Sequence, residues 1–125
     1  MWQTKLKHII GSPDQTSWAQ VHHFIPQKKD KLDSRGELIL LASLQDLDTT
    51  QEPAVLGKEV ITRFHEEYYG QVSGKPMAGL KKALDKVGQE RADFFPDQGE
   101  ISLVAIVFWQ DFVYLGVWNK GEIRI

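Results

Sequence analysis

The sequence predicts an α+β fold, an antiparallel sheet with two helices packed on one face, in the order β-β-α-α-β-β-β. Three observations carry this reading. Residues 38–44 (Leu-Ile-Leu-Leu-Ala-Ser-Leu) and 101–109 (Ile-Ser-Leu-Val-Ala-Ile-Val-Phe-Trp) are apolar on both faces, the pattern of strands inside a sheet. Two amphipathic helical patterns lie between them. The remaining strand patterns gather at the two ends of the chain, the grouping of a layered α+β domain.

Taken in order, the first ten residues are weakly patterned, and Gly11-Ser12-Pro13-Asp14 is a turn cluster. Residues 17–26 read as a strand, with Trp18, Gln20, His22 and Phe24 on one face and Ala19, Val21, His23 and Ile25 on the other. The segment 27–36 is charged, lacks an apolar period and ends in Gly36, so it is expected to be a solvated hairpin loop. The buried strand 38–44 follows. Thr49-Thr50-Gln51-Glu52-Pro53 carries capping hydroxyls, an acid and a proline, the signature of a helix start. Leu56, Val60, Phe64 and Tyr68 form the first stripe, flanked by Val55 and Ile61, and Gly70 is the expected stop. The second helix begins near Pro76 with Met77, Leu80, Ala83, Leu84 and Val87 on its apolar side. Gly88 weakens it by about 1 kcal/mol relative to alanine. After Phe94-Phe95-Pro96, strand 101–109 turns at Gln110-Asp111 into strand 112–118. Asn119-Lys120-Gly121 then turns the chain into a last strand.

Composition bounds the function. The 125 residues suit one domain, residues 1–125. At 42% hydrophobic and 26% charged, the chain is globular rather than disordered. Fifteen basic against 17 acidic residues give a net charge of −2, without the basic field of a nucleic-acid binder. No cysteine is present, which removes disulfides, thiol catalysis and thiolate metal sites. The amino terminus lacks the apolar core of a signal peptide, and no apolar run reaches the roughly 18 residues of a membrane span. A soluble, cytoplasmic protein without a membrane or nucleic-acid partner is therefore expected.

Two helices cover one face of a sheet, yet the two central strands are apolar on both. The other face is then a large apolar patch, of a kind monomers seldom expose. The expected cover is a protein partner, the remainder of a longer chain, or a second copy. The sequence ends at Ile125 within an expected strand, which favours a truncated domain.

This order of elements resembles the first half of the metal-dependent (PPM-type) serine/threonine protein phosphatase fold. The residues that carry the likeness are Gly36-Glu37-Leu38-Ile39-Leu40-Leu41-Ala42, the helix Leu56-Gly57-Lys58-Glu59-Val60 with its aromatic end Tyr68-Tyr69, the second long helix, and the hairpin 101–125. The resemblance implies half of an α-β-β-α sandwich. It also implies two divalent metals held by carboxylates to activate water. The chain departs from the family at those positions. Asp14-Gln15-Thr16 stands where the family has Asn-Glu-Asp, Ser43-Leu44 where it has Asp-Gly, and Trp118-Asn119 where it has Gly-Asp. Neutral Gln15, Thr16, Ser43 and Asn119 cannot supply the anionic oxygens hard cations need. The implied function is a non-catalytic phosphatase-like domain, an interaction or regulatory module of a larger protein, with no cofactor. One alternative is a weakly active phosphatase with Mg or Mn on displaced ligands, Asp14, Asp46 and Asp48. Another is a small self-contained α+β dimer.

Individual residues add little chemistry. Asp46, Asp48 and Glu52 are the metal candidates, but they lack the spacing of a calcium loop and fit helix capping better. His22 and His23 are adjacent on a strand and point to opposite faces, so they cannot share a metal. His65-Glu66-Glu67 lacks the second histidine of a zinc peptidase and reads as surface. Ser43 and Ser102 sit inside apolar strands, without a nucleophile elbow. The binding candidates are the aromatics Trp109, Trp118 and Tyr114, with the two tryptophans expected to be exposed near strand ends.

Overall fold

The computed structural model describes residues 18–45, 53–70, 74–94, 100–119 and 122–124. The elements are β1 (Trp18–Phe24), α1 (Lys29–Arg35), β2 (Glu37–Gln45), α2 (Pro53–Gly70), α3 (Pro76–Phe94), β3 (Glu100–Trp109), β4 (Phe112–Asn119) and β5 (Glu122–Arg124). The five strands form one sheet in the order β1-β2-β3-β4-β5, every neighbouring pair antiparallel. Both long helices pack on the same face, so the expected α+β layout is the observed one. The expected amino-terminal turn, the capping run at Thr49 and the turn at Lys120-Gly121 lie outside the described residues.

Period-two alternation sorts each strand into a core side and an outer side. Leu38, Leu40, Ala42 and Leu44 of β2 join Ile101, Leu103, Ala105 and Val107 of β3 in one buried cluster. From α2 the cluster takes Leu56, Val60, Phe64 and Tyr68, the four-residue stripe; from α3 it takes Leu80, Ala83, Leu84 and Val87. Each large side chain so buried contributes about 1.5–3 kcal/mol. Two expected stripe members lie outside it. Val55 is 60% exposed and Met77 is 48% exposed, and Pro76 takes the buried place in the first turn of α3. On the solvent side Arg63 ties the two helices together, bonding Glu59 on its own helix and Glu90 on α3, both at 2.7 Å. Exposed pairs of this kind add at most about 1 kcal/mol each.

The loop expected over 27–36 is instead a seven-residue helix, α1. Its inward group is a charge, which an apolar-period reading cannot see. Arg35 is 1% exposed; its Nη1 donates to the Gly74 carbonyl at 2.8 Å, and its guanidinium lies 5.8 Å from the centre of the Tyr68 ring. Arginine suits this place because its planar, weakly hydrated head stacks on a ring while donating sideways. The Tyr68 hydroxyl donates to the Arg35 carbonyl at 2.6 Å, and the Tyr69 hydroxyl to the Gly36 carbonyl at 3.0 Å. The far end of α2 is thereby fastened to the start of β2.

Gly88 proves to be a packing device rather than a weak point. A Cβ there would lie 2.8 Å from Nε1 of Trp118, which is 4% exposed and part of the core. The expectation that Trp118 is exposed is thus corrected: the indole turns inward because a glycine on α3 makes room for it. Gly88→Ala is expected to lower the melting temperature. The helix gains about 1 kcal/mol in propensity, but the clash with a rigid buried ring costs about 1–3 kcal/mol. In a Trp118→Phe background, which lacks that nitrogen, the same substitution should lose much of its penalty. Thermal melts of the four proteins check this. A raised melting temperature for Gly88→Ala alone would show that the ring yields.

Candidate functional site

The side of the sheet opposite the helices is built from the residues between the core positions. The register lines them up in rows across the strands. One row is Val21, Leu41, Val104 and Val117; the next is His23, Ile39, Ile106 and Leu115; a third is Glu37, Phe108 and Val113. Leu41 is 38%, Val113 50% and Leu115 51% exposed. None of the described helices packs on these rows. Ile39 and Glu37 on the same rows are buried nonetheless, at 5% and 7% exposure, so the sheet is apolar on both sides and the described helices cover one.

Polar groups frame this apolar field. At one end the row Ala19, Ser43, Ser102 and Asn119 is small or polar, and Ser102 donates to the Asn119 side-chain carbonyl at 3.1 Å. At the opposite end His23 Nε2 bonds a carboxylate oxygen of Glu37, so these two satisfy each other. The outer face is thus an apolar field with polar groups at two of its ends.

The aromatic candidates are elsewhere. By register Trp109 pairs with Phe112, Val107 with Tyr114 and Leu103 with Trp118, all on the helix side. Trp109 is half-buried against the core, stacks at 6.3 Å on Phe112, and donates from Nε1 to the Asp33 carbonyl at 2.7 Å. Tyr114 is also half-buried against the core. The structure therefore gathers these three under the helices and the α1 end, and the outer face presents branched aliphatics instead. Asp46, Asp48 and Glu52 lie outside the described residues, as do Asp14, Gln15 and Thr16. Among the described residues no three His, Asp or Glu side chains converge as a metal site, and no helix is long and apolar enough to cross a membrane.

A histidine pair escapes sequence reasoning. His22 points to the helix side, where its Nε2 lies 3.2 Å from Nδ1 of His65 on α2, while His23 points to the outer side. His65, expected on the surface, is half-buried among Phe24, Tyr69 and His22. Burial lowers the pKa of both imidazoles. The His23 charge adds to this for His22, and that of His22 for His65, with Glu66 opposing the latter. Burial also keeps the Tyr68 and Tyr69 phenols neutral, well above their ordinary range.

The sign of the linkage follows. Below about 6.5 an unfolded histidine binds a proton that its folded counterpart refuses. The stability from this neutral pair is fully present above that pH and declines as pH falls from 7 towards 5. The melting temperature should therefore drop by more between pH 7.5 and 5 in the native protein than in the His22→Gln, His65→Gln double variant. Equal drops in the two would show that the pair does not contribute to acid sensitivity.

Comparison with known proteins finds no match for this chain among family models, curated proteins or solved structures.

Proposed function

We propose that the chain is a non-catalytic interaction module, a phosphatase-like half-sandwich that works through the sheet face opposite its described helices. The observation that carries this reading is the outer field of Leu41, Val104, Ile106, Val113, Leu115 and Val117, apolar in composition and on the side opposite the described helices. The occupant is a second copy of this chain. Four strands about 4.8 Å apart and four cross-strand rows about 6.8 Å apart span roughly 500 Å². Two such faces bury roughly 1,000 Å², the lower bound for a specific interface. Charge is confined to its borders, where His23 bonds Glu37 and Arg124 extends the Val117 row. Two copies would stack as helix, sheet, sheet, helix, with aligned sheets about 10 Å apart.

Sedimentation equilibrium across a hundredfold range of concentration tests the reading. A monomer–dimer equilibrium with loss of dye-accessible apolar surface in the dimer supports it. A monomer at all concentrations overturns the choice of occupant. Turnover of a phosphomonoester with millimolar Mn²⁺, lost on substitution within this chain, would overturn the non-catalytic part.

A further inference from the structure

A second surface, on the helix side of the sheet edge, has a different chemistry from the outer face. A cavity of about 570 Å³ opens between the end of β1, α1 and α2. That volume is typical of small-molecule sites. One wall is three rings in mutual contact: Phe24 to His65 at 4.4 Å, Phe24 to Tyr69 at 5.0 Å and His65 to Tyr69 at 4.9 Å between centres. Ile25, 53% exposed, adds an apolar edge. Facing these are two ammonium groups, Lys28 and Lys31, and among the described lining residues there is no carboxylate. Lys31 is held in place, its Nζ donating to the Tyr69 carbonyl at 2.7 Å, with two donors left over. Glu37 is buried and bonded to His23, and Glu66 follows His65 on the helix, so the two side chains diverge.

We infer that this cavity binds a small planar aromatic molecule bearing one anionic group, the ring lying against Phe24, His65 and Tyr69 and the anion meeting Lys28 and Lys31. Aromatic pairs favour edge-on and offset contacts at these distances, so a ligand ring extends a packing the wall already uses. The anion is served by Lys31, fixed by its backbone tether, and by Lys28, which is exposed and adaptable. His22 Nε2 lies 3.2 Å from His65 Nδ1, so the other ring nitrogen of His65 is outside that contact. The cavity meets the outer face at His23, which also lines it, but the ring wall and the lysines lie off that face, so either reading stands without the other.

The test uses naphthalene-2-sulfonate and its neutral analogue 2-naphthalenemethanol, followed by amide chemical-shift titration of the whole chain. The sulfonate should bind with shifts centred on Phe24, Lys28, Lys31, His65 and Tyr69, and the neutral analogue should bind about tenfold more weakly. Lys28→Gln, at an exposed position, should leave the fold intact and weaken the sulfonate several-fold. The Lys28→Gln, Lys31→Gln double variant should approach the affinity of the neutral analogue. Leu115→Lys, on the outer face, should leave binding unchanged. Equal affinity for the two probes, shifts centred on Leu41 and Leu115, indifference to Lys28→Gln in a folded protein, or no binding of the sulfonate would each overturn the inference.

Discussion

Gly36→Ala is expected to destabilise the protein by more than about 3 kcal/mol, enough to unfold much of it at 37 °C. Two independent costs add at this residue. Its φ is +76°, in the left-handed region that a side chain resists. A Cβ there would also stand 2.2 Å from the carbonyl oxygen of Phe108 and 3.1 Å from Cα of Trp109. Those atoms belong to β3, whose Phe108 pairs directly with Glu37, so they cannot retreat without opening the central ladder. The backbone carbonyl of Gly36 also accepts the Tyr69 hydroxyl, and any displacement loosens the end of α2 as well. Gly70→Ala provides the control. That glycine ends α2, has open space where a Cβ would stand and an ordinary φ, so it should be neutral or stabilising by up to about 1 kcal/mol. Urea unfolding of the three proteins measures the difference. Near-native stability for Gly36→Ala would mean that β3 does not approach this turn so closely.

The second large effect concerns association. Leu41→Lys combined with Leu115→Lys should abolish dimers, raising the dissociation constant at least a hundredfold, while leaving the monomer folded. Both leucines are substantially exposed in the single chain, so the lysine stems can lie along the sheet with their heads in water. In a twofold sandwich each substitution occurs twice, and four ammonium groups would be forced into an apolar layer. Burying even one unpaired charge costs several kcal/mol, more than the hundredfold change requires. Met77→Lys, at a residue equally exposed but on a helix, should not change the association. Sedimentation velocity with circular dichroism as a fold check separates the cases. An unaltered dimer in the double variant would place the interface elsewhere.

The layout of the sheet and its two long helices was legible because each rests on a local period. Leu38, Leu40 and Leu44 turn inward while Ile39 and Leu41 turn outward. That alternation, together with the two stripes such as Leu56, Val60, Phe64 and Tyr68, places both described helices on one face. What stayed hidden depends on partners far along the chain. The α1 helix is organised around Arg35, whose burial is licensed by Gly74 and Tyr68. The His22–His65 contact joins a strand to a helix and leaves no trace in either local pattern. Trp118 looked like an exposed strand end because the opening that receives it is an absence of side chain on another element, at Gly88. Its neighbour in sequence, Asn119, is by contrast exposed and paired with Ser102, as the alternation requires.

One feature of the sheet shapes the order in which it can assemble. Gln45 at the end of β2 stands opposite Glu100 at the start of β3, so α2 and α3 leave and re-enter the sheet at the same point. The hairpins on either side, β1 with β2 and β3 with β4, close over short stretches of chain, whereas their common seam must wait for the long excursion between them. The helical pair is therefore a clasp as well as a cover. In a chain of this topology the β2–β3 seam has the largest loop to close, so a substitution that weakens the α2–α3 contact should slow refolding more than one in either hairpin.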